Sequence, residues 1–287
     1  MNTSKTLRNL LQGDKSLIVP GVHDPMSAKI FEDSGFPVLF TGGFSLSAST
    51  LGVPDIGLLT MSENIERVKR VTSTINVPLI ADMDTGYGNP INVIRTVQEC
   101  INVGVAGIIL EDQSWPKKCG HMEGKSVIPM EEHVQKIRAA SYARGDGDLV
   151  IIARTDAIAP LGLEEAIRRG HAYVEAGADV IFIEAPESID QLSQISDSFD
   201  TPLFANMIEG GKTPFLSALQ LKDLGFKMVV YPLSGLFAAT SAIQGVVSHL
   251  KSTGSTTGYD RMVSFSQFEK IVNLESFMAL ESRFSTK

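Results

Sequence analysis

Short apolar runs recur along the chain, and each is closed by a glycine, a proline or a polar cluster. Eight stand out: SLIVP ending at Pro20, PVLF at Phe40, PLIA at Ala81, GIIL at Leu110, LVIIA at Ala153, VIFI at Ile183, PLFA at Ala205 and MVVY at Tyr231. They are continuously apolar rather than alternating, as parallel strands buried on both faces require. Between them the apolar positions switch to i, i+3, i+4 spacing. That predicts helices over 26–35, 62–75, 89–103, 131–144, 162–176, 188–198 and 217–224, the second capped by Thr60 or Ser62. Gly35, Gly104, Gly145, Gly177 and Gly225 follow these patterns where a left-handed terminator belongs.

Eight strands alternating with helices predict an α/β protein with a (β/α)8 TIM-type barrel. A doubly wound sheet is the main alternative. It would carry a glycine triad in its first turn, and here that turn reads PGVHDPMS. No linker divides the chain. The barrel is expected over 1–250, followed by a C-terminal helical extension over 251–287 whose helix covers 264–284. Residues 228–248 contain no Asp, Glu, Lys or Arg and are long enough to span a bilayer. Pro232 and Gly235 interrupt them, so they read as a buried strand, a turn and a buried helix.

Composition narrows the function classes. Lys and Arg number 25 against 33 Asp and Glu, a net charge of -8 with no basic run, which argues against a nucleic-acid partner. A 43% hydrophobic, 20% charged composition excludes a disordered chain. Two cysteines, Cys100 and Cys119, cannot form a disulfide framework and fit a reducing compartment. The first residues hold no apolar stretch of signal-peptide length. A cytoplasmic protein with no membrane partner is therefore expected.

In such a barrel the active site lies at the C-terminal strand ends. Those ends carry Thr41-Gly42-Gly43, Asp82 and Asp84, Glu111-Asp112, Arg154-Thr155-Asp156, Glu184, Asn206 with Glu209, and Pro232 with Ser234. Carboxylates at successive strand ends are costly unless they serve a purpose, which points to an enzyme. Asp82 and Asp84, two residues apart, would share one face of an extended strand. With Glu111 they supply hard oxygen donors suited to Mg2+ or Mn2+; the alternative is that they cap a helix or pair with Arg154.

The segment Pro116-Lys117-Lys118-Cys119-Gly120-His121 sets a thiol beside two ammonium groups and an imidazole, neighbours that would lower the thiol pKa. A lone Cys and a lone His make zinc a poor reading. A Cys–His nucleophile pair is possible, but nothing requires a covalent step. His133 and His171 fall in helical patterns and are expected at the surface, His249 lies near a helix end, and His23 sits in the first strand-end loop, where a structural role is the first reading and lining the site the second. Cys100 is expected in the core. Tyr87, Trp115 and Met122 could shape a pocket. The NMIEGGKTP turn lacks the surroundings of a nucleotide-phosphate loop.

Over nearly its whole length the chain resembles the isocitrate lyase/phosphoenolpyruvate mutase superfamily. The stretches that carry the resemblance are TGGFSLSASTLGVPDIG, ADMDTGYGNP, EDQSWPKKCGH, IIARTDA, EAGADVIFIEAP, ANMIEGGKTP and YPLSG. The KKCGH loop is similar to that of the carbon–carbon lyase branch and its near relatives. The resemblance implies a Mg2+-dependent barrel that cleaves a 2-hydroxycarboxylate to pyruvate and a second carboxylate. It implies that Thr41, Gly42 and Gly43 bind the pyruvyl carboxylate and 2-oxygen. Asp82 and Asp84 would hold the metal, with Asp55 and Glu111 in its water shell. Arg154 would face the substrate oxygen. Cys119 would be the general acid on a closing loop, with Lys118 beside it and with Gly120 and His121 on the second carboxylate. Glu184, Asn206, Thr213 and Pro232 would complete the site. The resemblance further implies a homotetramer, a dimer of dimers, with the C-terminal helix swapped onto a neighbouring subunit.

The EAP triplet at 184–186 and the NMIEGGK turn look like the 2,3-dimethylmalate lyase type rather than the methylisocitrate lyase type. Met122 and Glu123 after His121 offer no cation for a third carboxylate, which also suits a dicarboxylate substrate. Pro232 lacks the hydroxyl of the hydrolase branch, and Leu39 stands where some relatives have Tyr. An alternative in the same superfamily is a carboxyphosphonoenolpyruvate phosphonomutase, which forms a C–P bond.

Overall fold

The structure is a computed structural model, described over residues 2–285. The eight strands lie in the eight apolar runs: β1 (Leu17–Pro20), β2 (Leu39–Thr41), β3 (Leu79–Asp82), β4 (Gly107–Glu111), β5 (Val150–Thr155), β6 (Val180–Ile183), β7 (Leu203–Asn206) and β8 (Met228–Tyr231). All neighbours pair in parallel in the order β1-β8-β7-β6-β5-β4-β3-β2. The last gap is closed by a parallel bridge between Gly21 and Phe40, where the Val22 N–H donates to the Phe40 carbonyl. The sheet is thus a barrel.

Two apolar layers follow from strand alternation. Phe40, Ile80, Ile109, Ile152, Phe182, Phe204 and Val230 fill the barrel interior, with Leu7 of the N-terminal helix Thr3–Gln12 in the same cluster. Alternate residues, such as Leu39, Ala81, Ile108, Ile151 and Ile181, face the surrounding helices. The anticipated helices form with ends shifted by one to three residues. Thr60 is the cap of Met61–Thr72, in a reciprocal box with Glu63.

The structure differs from expectation in four places. Helices Thr3–Gln12, Gly43–Leu51 and Ile158–Leu161 lie outside the expected set. The C-terminal piece is two helices, Phe265–Ile271 and Leu274–Phe284, broken at Asn273, whose φ is 56°. The apolar helix after β8, Ser234–Thr253, charged only at Lys251, is not buried: none of its residues is, and Phe237, Ile243, Val247 and Leu250 face outward. Its apolarity reflects a surface this single chain does not cover. His133 is fully buried, edge-on to Tyr173 with ring centroids 4.6 Å apart, because it faces the barrel side of helix Met130–Arg144. His171 is exposed and Cys100 is buried, as anticipated. No helix among the described residues is long and apolar enough to cross a membrane.

Candidate active site

The C-terminal strand ends converge on a pocket with only about 50 Å³ of free space. It is lined by Gly42, Gly43, Asp55, Asp82, Glu111, Lys117, Lys118, Cys119, Gly120, His121, Arg154, Glu184, Asn206 and Pro232, with Phe40, Phe44, Phe182, Phe204, Ile208 and Leu233 as its apolar wall. Much of the rim read from sequence is therefore assembled in space, while Asp84, Asp112, Thr155, Asp156, Glu209 and Ser234 lie outside the lining. Thr41 and Thr213 are buried beside it, each with a hydroxyl that has no partner, but neither lines the pocket, and nor does His23.

One half of the site is acidic. The Asp82 carboxylate accepts from the N–H of Asp84 at 3.0 Å and of Gly43 at 3.2 Å. Asp82 ends its strand and Asp84 follows in the left-handed region, φ 48°. The two carboxylates thus meet through a turn, not through the shared strand face that their spacing suggests. Lys117, almost wholly buried, sets its Nζ 2.5 Å from both Asp55 and Asp84. The sequence sets both Lys117 and Lys118 beside the thiol, and the resemblance implies Lys118 for the site. In the structure the Lys118 ammonium donates instead to the loop carbonyls of Glu123 and Gly124. In an extended loop, adjacent side chains point opposite ways, so one lysine of the pair had to turn inward. Burial pushes Asp84 up to about 7 against the pull of Lys117, and pushes Glu111 well above the ordinary range against that of Arg154.

These residues suit a divalent cation. Four buried carboxylates, Asp55, Asp82, Asp84 and Glu111, face one ammonium and the shared Arg154, and Glu111 Oε1 has no hydrogen-bond partner. Among the described residues no three Asp, Glu, His or Cys side chains converge as a ready chelate. Mg2+ does not ask for one, since it keeps several waters and takes one or two carboxylates directly.

The other half is a charge relay around Arg154. Its Nε lies 2.8 Å from Asp156 and 3.4 Å from Glu111, its Nη2 3.0 Å from Asp156 and 3.4 Å from Glu184, and its guanidinium sits 5.1 Å over the Phe182 ring. Against the upward push of burial, Arg154 and Lys125 hold Asp156 at about 2. Against the same push, Arg154 and His121 hold Glu184 below the usual carboxylate range. The His121 Nδ1 accepts from the Lys212 N–H at 2.9 Å, which leaves Nε2 to face Glu184, also at 2.9 Å. Asn206 donates to Glu184 at 3.2 Å. Behind this row Asp112 accepts from Thr155, Arg169, Tyr173 and the Asp156 N–H, so the end of β5 is rigidly placed.

Cys119 sits on the loop that closes the pocket. The loop is fastened by its own N–H to the Asp55 carbonyl at 3.1 Å, by Lys125 to Asp156 at 2.8 Å and by Lys212 to Glu123. Gly120 allows the closure: a Cβ there would strike Arg154 and Glu184. Burial pushes the thiol up to about 11, opposite to the lowered pKa its sequence neighbours suggest. The nearby ammonium groups are occupied elsewhere, Lys117 by carboxylates and Lys118 by carbonyls. Burial thus favours the neutral thiol over the thiolate.

Known proteins resemble this chain over nearly its whole length. The profile of the phosphoenolpyruvate phosphomutase family matches residues 7–251. The 2,3-dimethylmalate lyase of Eubacterium barkeri is 45% identical over 287 residues, covering 100% of this chain and 99% of that protein. The solved structure of oxaloacetate acetylhydrolase in complex with 3,3-difluorooxalacetate superposes with a TM-score of 0.95 at 34% identity, covering 100% of this chain and 98% of that one. That of phosphonopyruvate hydrolase in complex with oxalate and Mg2+ superposes with a TM-score of 0.90 at 34% identity, covering 99% of each chain.

Proposed function

Because the chain belongs to the phosphoenolpyruvate phosphomutase family, we propose that it is a carbon–carbon lyase that cleaves a 2-hydroxydicarboxylate of the 2,3-dimethylmalate type to pyruvate and a second carboxylate. The observation that carries this reading is the place of Cys119, on a closed loop that lines the same small pocket as Arg154, Glu184 and the carboxylates Asp82 and Glu111. Asp82 and Asp84, with Asp55 and Glu111 around them, are the residues that would hold Mg2+. Bound there, Mg2+ supplies positive charge to the 2-oxygen as cleavage makes it a carbonyl.

The chain's own groups cover the remaining needs. The helix Gly43–Leu51 begins at Gly42 with no side-chain cap, and its N-terminus opens on the pocket, where a carboxylate is favoured. Arg154 adds a fixed cation beside the 2-oxygen. A carboxylate of the pocket lining takes the 2-hydroxyl proton as C2–O becomes a carbonyl, and breaking the C2–C3 bond leaves the electron pair on C3, delocalised into its carboxylate. Cys119 gives its proton to that carbon. The closed loop excludes water and keeps these interactions strong.

The wall supports a dialkyl dicarboxylate. Phe44, Ile208, Pro232 and Leu233 offer apolar surface for alkyl groups. Lys212 is engaged by Glu123 and Lys118 by carbonyls, so no spare ammonium serves a third carboxylate. Pro232 brings no hydroxyl to the pocket, in keeping with a lyase rather than a hydrolase.

We also propose a homotetramer. The outward apolar residues of helices Ser234–Thr253, Phe265–Ile271 and Leu274–Phe284, among them Phe237, Phe265 and Phe277, form a surface that a second copy would bury. The C-terminal extension would be the exchanged element.

The test is release of pyruvate, followed with lactate dehydrogenase, from a panel of 2-hydroxydicarboxylates with and without Mg2+. Turnover of a 2,3-dialkylmalate that EDTA abolishes supports the proposal. No pyruvate from any member, together with C–P bond formation from carboxyphosphonoenolpyruvate, rejects it.

A further inference from the structure

Behind the catalytic loop lies a second cavity of about 580 Å³, within the range of small-molecule sites, and it shares no lining residue with the catalytic pocket. Leu59, Met61, Tyr87, Trp115 and Ile128 give it an apolar lining. Trp115 lies across Gly57, its ring 2.9 Å from where a Gly57 Cβ would stand, and it is 57% exposed. Lys136 also lines the cavity and is only 5% exposed. Its ammonium donates to the Thr85 carbonyl at 3.2 Å and forms no ion pair among the described residues. That is its one hydrogen bond to a described protein group, so the ammonium can still donate to an anion seated in the cavity. Glu132 lines the cavity, and Asp112 and Glu111 lie close enough to act on Lys136; these carboxylates would oppose an anion.

We propose that this cavity binds a small monocarboxylate with a flat apolar body, the carboxylate on Lys136 and the body against Trp115 and Tyr87. Its occupant would touch the active site from behind. Gln113, in the cavity wall, holds the Lys118 N–H at 3.0 Å and the Lys118 carbonyl at 2.8 Å, next to Cys119. The Tyr87 hydroxyl accepts from Asn64 at 2.7 Å, and Asn64 also donates to the Asp82 carbonyl at 2.9 Å. The site is thus placed to act on the loop that carries the acid.

Trp115 is the single tryptophan of the chain, so its fluorescence reads this cavity directly, whatever reaction the enzyme performs. The probes are phenylacetate and its neutral isostere phenylacetamide, titrated into the full chain. The expected result is a saturable change with phenylacetate and binding about tenfold weaker for the amide, the worth of one charge-assisted contact. Lys136→Met should lose about the same factor, Lys136→Arg should keep binding, and Glu132→Gln should tighten it. Equal response to acid and amide, an unchanged affinity in Lys136→Met, or competition by 2,3-dimethylmalate at the same site would overturn the proposal. If Lys136→Met does not fold, as judged by circular dichroism, the acid–amide comparison and Glu132→Gln decide.

Discussion

Replacing Lys117 by Met tests the electrostatic logic of the acidic half-site. The ammonium is buried and lies 2.5 Å from both Asp55 and Asp84, with Asp82 and Glu111 in the same cluster. Methionine keeps most of the volume and removes the charge, so the loss is electrostatic. Breaking a buried pair by deleting one partner costs about 3–5 kcal/mol, since the abandoned carboxylates stay desolvated. The deficit should depend on pH. Burial already raises Asp84 from its ordinary value to about 7 in the folded protein, so the fold binds that proton more tightly than the unfolded chain does. A raised carboxylate costs stability as pH climbs from about 4 through about 7. Without the opposing pull of Lys117 that window extends upward. Lys117→Met should therefore be furthest below the parent at pH 8 and recover toward it at pH 5.5. Mg2+ should stabilise the variant more than the parent, because one more uncompensated negative charge faces the ion. Urea unfolding followed by circular dichroism, at both pH values with EDTA or Mg2+, measures all three effects. Equal stability of variant and parent at pH 8, with equal response to Mg2+, would refute the reasoning.

Three further outcomes follow from the same structure. Cys119→Ser should retain product binding by calorimetry while turnover falls by orders of magnitude, because a serine hydroxyl is a far weaker acid; near-normal turnover would remove Cys119 from its role. Burial, reinforced by Lys136 and Arg169, depresses His133 to about 3, so the unfolded chain binds a proton below about 6.5 that the fold refuses. The fold should lose about 2 kcal/mol from this residue between pH 7 and pH 5. In His133→Phe, which keeps a ring against Tyr173, that part of the acid sensitivity should vanish; an unchanged pH profile of urea midpoints would contradict it. Phe277→Glu places a charge on the outward apolar helices and should give a smaller assembly by light scattering, whereas an unchanged mass would place the subunit contact elsewhere.

Much of this architecture was legible because burial on both faces leaves an unbroken apolar run, and all eight runs became strands. The rim was legible for a related reason: a carboxylate or guanidinium directly after such a run has few roles other than chemistry. What sequence could not supply was direction. Lys117 and Lys118 are indistinguishable as letters, yet one enters the carboxylate cluster and the other caps its own loop. Cys119 looks activated beside two lysines, and in space those charges are spent on other partners. Asp84 takes a left-handed turn that a spacing rule for strands does not contain. The helix Ser234–Thr253 reads as buried because its letters are apolar, yet none of its residues is buried within this chain. Trp115 and Tyr87 were marked as pocket residues, but the cavity they line is separate from the catalytic one.

The two glycines pressed against charged groups bear on how such a site changes over evolutionary time. A Cβ at Gly43 would meet the Lys117 ammonium, and one at Gly120 would meet Arg154 and Glu184. At these positions any mutation adds atoms, and the space they need is already held by charges that cannot be displaced cheaply. Novelty in substrate must therefore enter elsewhere, through Phe44, Ile208, Pro232, Leu233 or the loop after His121, where one side chain can be traded for another. The machinery that breaks the bond is fenced in by the absence of side chains, and the choice of what is broken is left to drift around it.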